Sequence, residues 1–125
     1  MKTFKGRTAV ITGAGSGFGL EVSRSAAREG RNLVMADVQQ DALDRAVEEI
    51  RGLGAQVMGF RLDVAKAAEV ESMGEATRAR FGAPHLVFNN AGVGAGGLIW
   101  EHSLKDWEWV VGVNLMGVAH GVRVF

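Results

Sequence analysis

The chain has no cysteine, no tyrosine and a single proline, Pro84, and its acidic and basic side chains cancel to zero formal charge at pH 7. Without cysteine there is neither a disulfide framework nor a thiolate metal site, and nothing points to an oxidising compartment, so a soluble cytoplasmic protein is expected. Balanced charge gives no long-range field to gather nucleic-acid phosphates or an anionic membrane surface, which disfavours both as partners. No apolar run reaches membrane-spanning length, and the opening Met1-Lys2-Thr3-Phe4-Lys5-Gly6 has no signal-peptide character. The lack of tyrosine removes the phenol as an acid or base. His85, His102 and His120 have no ligand-like spacing and read as strand edge, loop and helix surface, so no metal site is assigned. What is plentiful is glycine, together with 47% apolar residues, enough for one compact domain over residues 1–125 with a continuous core.

Apolar runs and helical periodicities alternate along the chain. Thr8-Ala9-Val10-Ile11-Thr12, Asn32 to Asp37, Gln56 to Asp63 and His85 to Asn90 read as buried parallel strands. Between them, Phe18–Arg28, Gln40–Arg51 and the stretch carrying Ala67, Val70, Met73, Thr77 and Phe81 have helical spacing, with glycines where each should stop. A last helix is predicted from an N-cap at Ser103 with Asp106 three residues on, bearing Trp107, Val110, Val111, Leu115, Val118 and Val122 and running to the last residue. Trp100, Trp107 and Trp109 are assigned to core or subunit contacts. Such alternation predicts a doubly wound, right-handed parallel α/β structure with helices on both faces and strand order 3-2-1-4.

The turn between the first strand and first helix is Thr12-Gly13-Ala14-Gly15-Ser16-Gly17-Phe18-Gly19. Backbone N–H groups and a helix N-terminus attract a diphosphate at such a place. Gly13 would permit the tight turn, Gly17 would let the diphosphate approach without a Cβ, and Gly19 would let helix and strand pack closely. A P-loop would need lysine then serine or threonine where the chain continues Gly19-Leu20-Glu21.

The spacing resembles the T-G-x-x-x-G-x-G signature of the short-chain dehydrogenase/reductase family. Asn89-Asn90-Ala91-Gly92 resembles its N-N-A-G motif, and Asn114 stands where its helix asparagine is expected. The three matches cover almost the whole chain. The resemblance implies a Rossmann-type three-layer fold and a nicotinamide cofactor bordered by Gly13, Gly15, Ser16, Gly17, Phe18, Gly19, Asp37, Val38, Asp63, Val64, Asn90, Ala91, Gly92 and Val113. It implies that Asp63 meets the adenine amino group while Val64 lines the ring pocket, although helix capping explains Asp63 nearly as well. Asn114 would be the catalytic asparagine, holding a water that relays protons.

Asp37 lies some two dozen positions after Gly13, where a carboxylate can accept hydrogen bonds from an adenosine ribose and repel a 2′-phosphate. No arginine or lysine stands at Ala14, Ser16, Val38 or Gln39, so NAD is expected over NADP. An exposed acid at a helix start is the plainer alternative.

The family transfers hydride with a tyrosine, a lysine four residues later and an upstream serine, and this chain has no tyrosine. The expectation is therefore the N-terminal, cofactor-binding part of an NAD-dependent oxidoreductase acting on a small alcohol or carbonyl substrate, incomplete at its C-terminal side and inactive alone. A noncatalytic dinucleotide-binding module is the alternative, and a methyltransferase a third reading that the N-N-A-G segment and Asn114 do not support. An open sheet edge beside the fourth strand predicts a homo-oligomer, dimer or tetramer.

Overall fold

A computed structural model describes residues 3–125. Each short apolar run becomes a strand, and each periodic stretch between them crosses back as a helix. The order is β1 (Thr8–Thr12), α1 (Gly17–Arg28), β2 (Asn32–Asp37), α2 (Gln40–Gly52), β3 (Val57–Arg61), α3 (Ala67–Phe81) and β4 (Leu86–Phe88). A short 3₁₀ turn at Ile99–Glu101 precedes α4 (Leu104–Val111), and a π-helical turn at Gly112–Met116 joins α4 to α5 (Gly117–Val124). The four strands form one parallel sheet in the order β3-β2-β1-β4, as predicted. Thr12 pairs with Ala36, Ile11 with Phe88, and Asp37 with Arg61, which brings the carboxyl ends of the strands to one rim.

Alternation along the strands divides the core in two. Ala9, Ile11, Leu33, Met35 and Val57 pack with Ala26 and Ala27 of α1 and Leu43, Ala46, Val47 and Ile50 of α2. On the other face Val10, Val34 and Ala36 pack with Leu62, Val64, Val113 and Val70 and Met73 of α3. Ser23 and Thr77 are buried in their helices by donating to the carbonyls of Gly19 and Met73 one turn earlier, at 2.8 and 2.7 Å. On the outer surface Arg24 of α1 clasps Glu21 and Glu49 of α2, and that hydrogen-bonded guanidinium holds the Glu49 carboxyl below its usual range.

Three boundaries differ from the sequence reading. β3 ends at Arg61, because Asp63 turns the chain by accepting the Ala65 N–H at 2.9 Å. β4 ends at Phe88, so Asn89 and Asn90 lie in the turn after it rather than in the strand. The last helix is broken by the π turn, in which the Gly117 N–H donates to the Gly112 carbonyl five residues back. The tryptophans are not core residues: Trp100 is 76% exposed, and Trp107 and Trp109 about half.

Candidate functional site

The strand order reverses direction at β1, and the rim between β1 and β4 is where open α/β sheets leave a crevice. A cleft of about 570 Å³ opens along this rim. It runs from Gly13, Gly15 and Ser16, past Asp37, Val38 and Arg45, to Asp63 and Val64 on one wall and Asn90, Ala91, Gly92 and Val113 on the other.

The glycine turn is built on Thr12. Its buried hydroxyl accepts the Asn90 and Ala91 N–H groups at 3.0 and 3.1 Å, and the Asn90 amide donates back to the Thr12 and Gly13 carbonyls at 3.1 and 3.3 Å. The two turns are therefore sewn together at the end of the sheet. Three of the glycines are pressed against protein. A Cβ on Gly13 (φ +64°) would lie 2.8 Å from the Asn90 amide nitrogen, one on Gly15 would lie 2.9 Å from the Asp37 carboxylate, and one on Gly19 would strike the Gly13 carbonyl. Gly17 (φ +55°) differs, since a Cβ there would meet nothing within 4 Å. It caps an open approach to the head of α1. The Ser16 side chain makes no capping bond to the first-turn amides, and that turn holds no acid. These amides and the helix dipole face outward as an anion-attracting surface.

Asp37 links the turn to the second strand. One carboxylate oxygen accepts the Gly15 N–H at 2.9 Å and the other accepts the Gln39 N–H at 3.0 Å. An ionised carboxylate offers about four acceptor sites, so two remain for hydroxyl groups in the cleft. Asn114, in the π turn, makes a two-bond clasp on one residue: its amide donates to the Val93 carbonyl and its oxygen accepts the Val93 N–H, both at 2.8 Å. That clasp fixes the glycine-rich loop following Asn90-Ala91-Gly92.

The sequence model of the short chain dehydrogenase family matches residues 7–125. The chain belongs to that family. It is 37% identical over 98% of its length to a CLA biosynthesis dehydrogenase/reductase from Lactiplantibacillus plantarum, spanning 43% of that protein. Among solved structures it resembles a short-chain dehydrogenase/reductase from Burkholderia phymatum in complex with NAD, with 56% identity and a TM-score of 0.97, over the whole of this chain and 44% of that one. It also resembles L-sorbose reductase from Gluconobacter frateurii complexed with NADPH and L-sorbose, with 31% identity and a TM-score of 0.92, over 98% of this chain and 47% of that one. The chain thus spans under half the length of these relatives.

Against this short-chain dehydrogenase framework, most of the residues singled out from the sequence converge on the cleft. Gly17, Phe18, Gly19 and Asn114 do not line it: Phe18 points to solvent, Gly19 serves packing, and Asn114 acts from behind the loop. The sequence reading passed over Thr12, although it stands in the signature. It also passed over Arg45, which reaches the cleft from the second turn of α2. No helix among the described residues is long and apolar enough to cross a membrane.

Proposed function

We propose that this chain supplies the cofactor-binding half of an NAD-dependent oxidoreductase that moves a hydride between a nicotinamide ring and the carbon of an alcohol or carbonyl substrate. The observation that carries the reading is the division of labour among the glycines: Gly13, Gly15 and Gly19 are filled by protein, while Gly17 alone stands open at the head of α1. Such a cradle fits a diphosphate. Gly13, Gly15, Ser16 and Gly17 would hold the diphosphate, Asp37 and Val38 the adenosine ribose, Asp63 and Val64 the adenine, and Asn90, Ala91, Gly92 and Val113 the middle of the molecule. Bound in that way, the nicotinamide ring supplies the hydride donor or acceptor. Asn114 keeps the wall in place through Val93 and, by resemblance to the family, holds a proton-relaying water. The Ser-Tyr-Lys residues would come from a downstream segment, and a cytoplasmic homo-oligomer is part of the same reading.

NAD is preferred because Asp37 places a carboxylate where a 2′-phosphate would have to sit, and the relative from Burkholderia phymatum was solved with NAD. Arg45 favours the second reading, NADP, since a guanidinium on the cleft could pair with that phosphate. Titrating NADH and NADPH separately decides between them. NADH should bind at least about tenfold tighter, a difference of about 1.4 kcal/mol, and Asp37→Ala should erase most of that preference. Equal affinities, or unchanged selectivity in the variant, would remove Asp37 from this role. Replacing Gly17 with asparagine, which tolerates its positive φ, should strongly weaken binding while the chain still folds. Turnover is the test against a noncatalytic module: the chain should be silent alone, and a version extended by its downstream coding sequence should oxidise or reduce with NAD.

A further inference from the structure

The wall of the cleft at Asp63 and Val64 is held by a side chain from the far end of the chain. His120 of α5 is half-buried, and its Nδ1 lies 2.7 Å from the Val64 carbonyl oxygen. A carbonyl can only accept, so Nδ1 carries the proton in this contact whether the ring is neutral or charged. Among the described residues no other hydrogen bond reaches that carbonyl. The approach depends on small residues. A Cβ on Gly117 would lie 2.6 Å from Val64 Cγ2, and one on Gly112 would touch Ala65 Cβ at 3.4 Å. With its backbone that close, α5 brings an imidazole one turn further on within reach of the turn after β3. From within, the same turn is tied only by the Asp63 carboxylate, which accepts the Ala65 N–H, and by the Lys66 N–H donating to the Asp63 carbonyl at 3.0 Å.

We propose that His120 is a positioning residue for the adenine end of the cofactor: it pins the Val64 carbonyl and so fixes the orientation of the Asp63–Ala65 turn that forms this wall of the cleft. The inference rests on the assignment of the cleft to a dinucleotide. Removing the donor leaves a carbonyl at a 7% exposed residue without a partner, and the peptide is then free to rotate in search of one. Asp63 and Val64 would have to be ordered again by the ligand, which lowers affinity without removing any contact to it.

The test uses geometry that a mere packing role would not follow. An asparagine amide nitrogen can occupy the place of the histidine Nδ1, whereas the glutamine amide reaches to the place of Nε2. In the full chain, His120→Asn should bind NADH within about twofold of the unsubstituted protein, while His120→Gln and His120→Leu should each lose about tenfold, the weight of one hydrogen bond to a buried group. The loss should be the same for ADP-ribose, which lacks the nicotinamide. Leucine or glutamine variants that bind as tightly as the unsubstituted chain would overturn the proposal, as would asparagine falling with them. If the unsubstituted chain fails to bind NADH or NADPH, the cleft assignment fails and takes this proposal with it; unsubstituted binding with indifferent variants overturns the His120 role alone.

Discussion

The centre of the sheet and the last helical segment are both apolar, yet they are stabilised in opposite ways. All five residues of β1 are buried, Ala9, Val10 and Ile11 are paired on both sides, and four of the six residues in β2 are fully enclosed. β4, among the described strands, pairs with β1 alone and leaves Leu86 38% exposed. The last segment goes further. Its apolar stripe of Trp107, Val111, Leu115, Val118 and Val122 faces outward, and what it buries is Val113, Gly117 and Gly121. An apolar period therefore identifies a sticky face, whereas close contact inside this chain is made through residues with almost no side chain.

The largest effect that would sharpen this contrast is in the sheet. Met35→Ala removes a side chain with no exposure from the α1/α2 side of the core and should cost about 2–5 kcal/mol, a large share of the stability of an ordinary domain. Leu86→Ala in β4 should cost about 1 kcal/mol or less, because that side chain already meets water. Urea melts of the two variants measure the difference directly. Comparable losses would mean that β4 is as much a part of the cooperative core as β2.

This contrast also explains what could be read from the sequence. Runs such as Thr8–Thr12 are buried on both faces and β-branched at all but Ala9, so strand, order and layer were all legible. So was the position of the phosphate-type turn, which follows from glycine spacing after a strand. The apolar stripe of the last helix was legible but the face it buries was not, because that face is made of Val113, Gly117 and Gly121, and glycine carries no apolar signal. His120 reads as a helix-surface residue for the same reason: nothing nearby in sequence shows that a glycine face brings it to Val64. Arg45 is not adjacent to Asp37 in sequence, and only the second turn of α2 carries it back over the cleft. The two hydrogen bonds tying Asp37 to Gly15 and Gln39 depend on how loops meet in space and had no signal in the chain.

A smaller effect separates the two faces of α5 itself. At Gly121 an added Cβ would collide with the Asn89 side chain, so Gly121→Val should cost about 1–3 kcal/mol and disturb the turn after β4. Its neighbour Val122 is 70% exposed, and Val122→Ser should stay within about 0.5 kcal/mol in the monomer. Thermal melts at low concentration distinguish them. If the serine variant instead loses stability, and more so as concentration rises, the outward stripe is covered by another copy of the chain rather than by solvent.

The smallest expected effect tests whether α4 is held by its end rather than by a core. None of its residues is buried, and it begins in a reciprocal cap: the Ser103 hydroxyl accepts the Asp106 N–H at 3.2 Å while the Asp106 carboxylate accepts the Ser103 N–H at 3.0 Å. The Ser103 backbone bond first, and its hydroxyl second, hold the Asp106 carboxyl below its ordinary value of 3.8. A carboxyl depressed on folding stabilises fully above its unfolded value and loses that contribution as pH falls through the folded one. Acidification from pH 5 to below 3.8 should therefore release α4 before the sheet melts, with amide exchange rising over Leu104–Val111 while β1 and β2 stay protected. Ser103→Ala should produce the same local opening at neutral pH, at a cost of about 1 kcal/mol. Exchange rising in β1 together with α4 would show that this segment unfolds as one body with the sheet, and the division between a core held by burial and an end held by capping would then have to be given up.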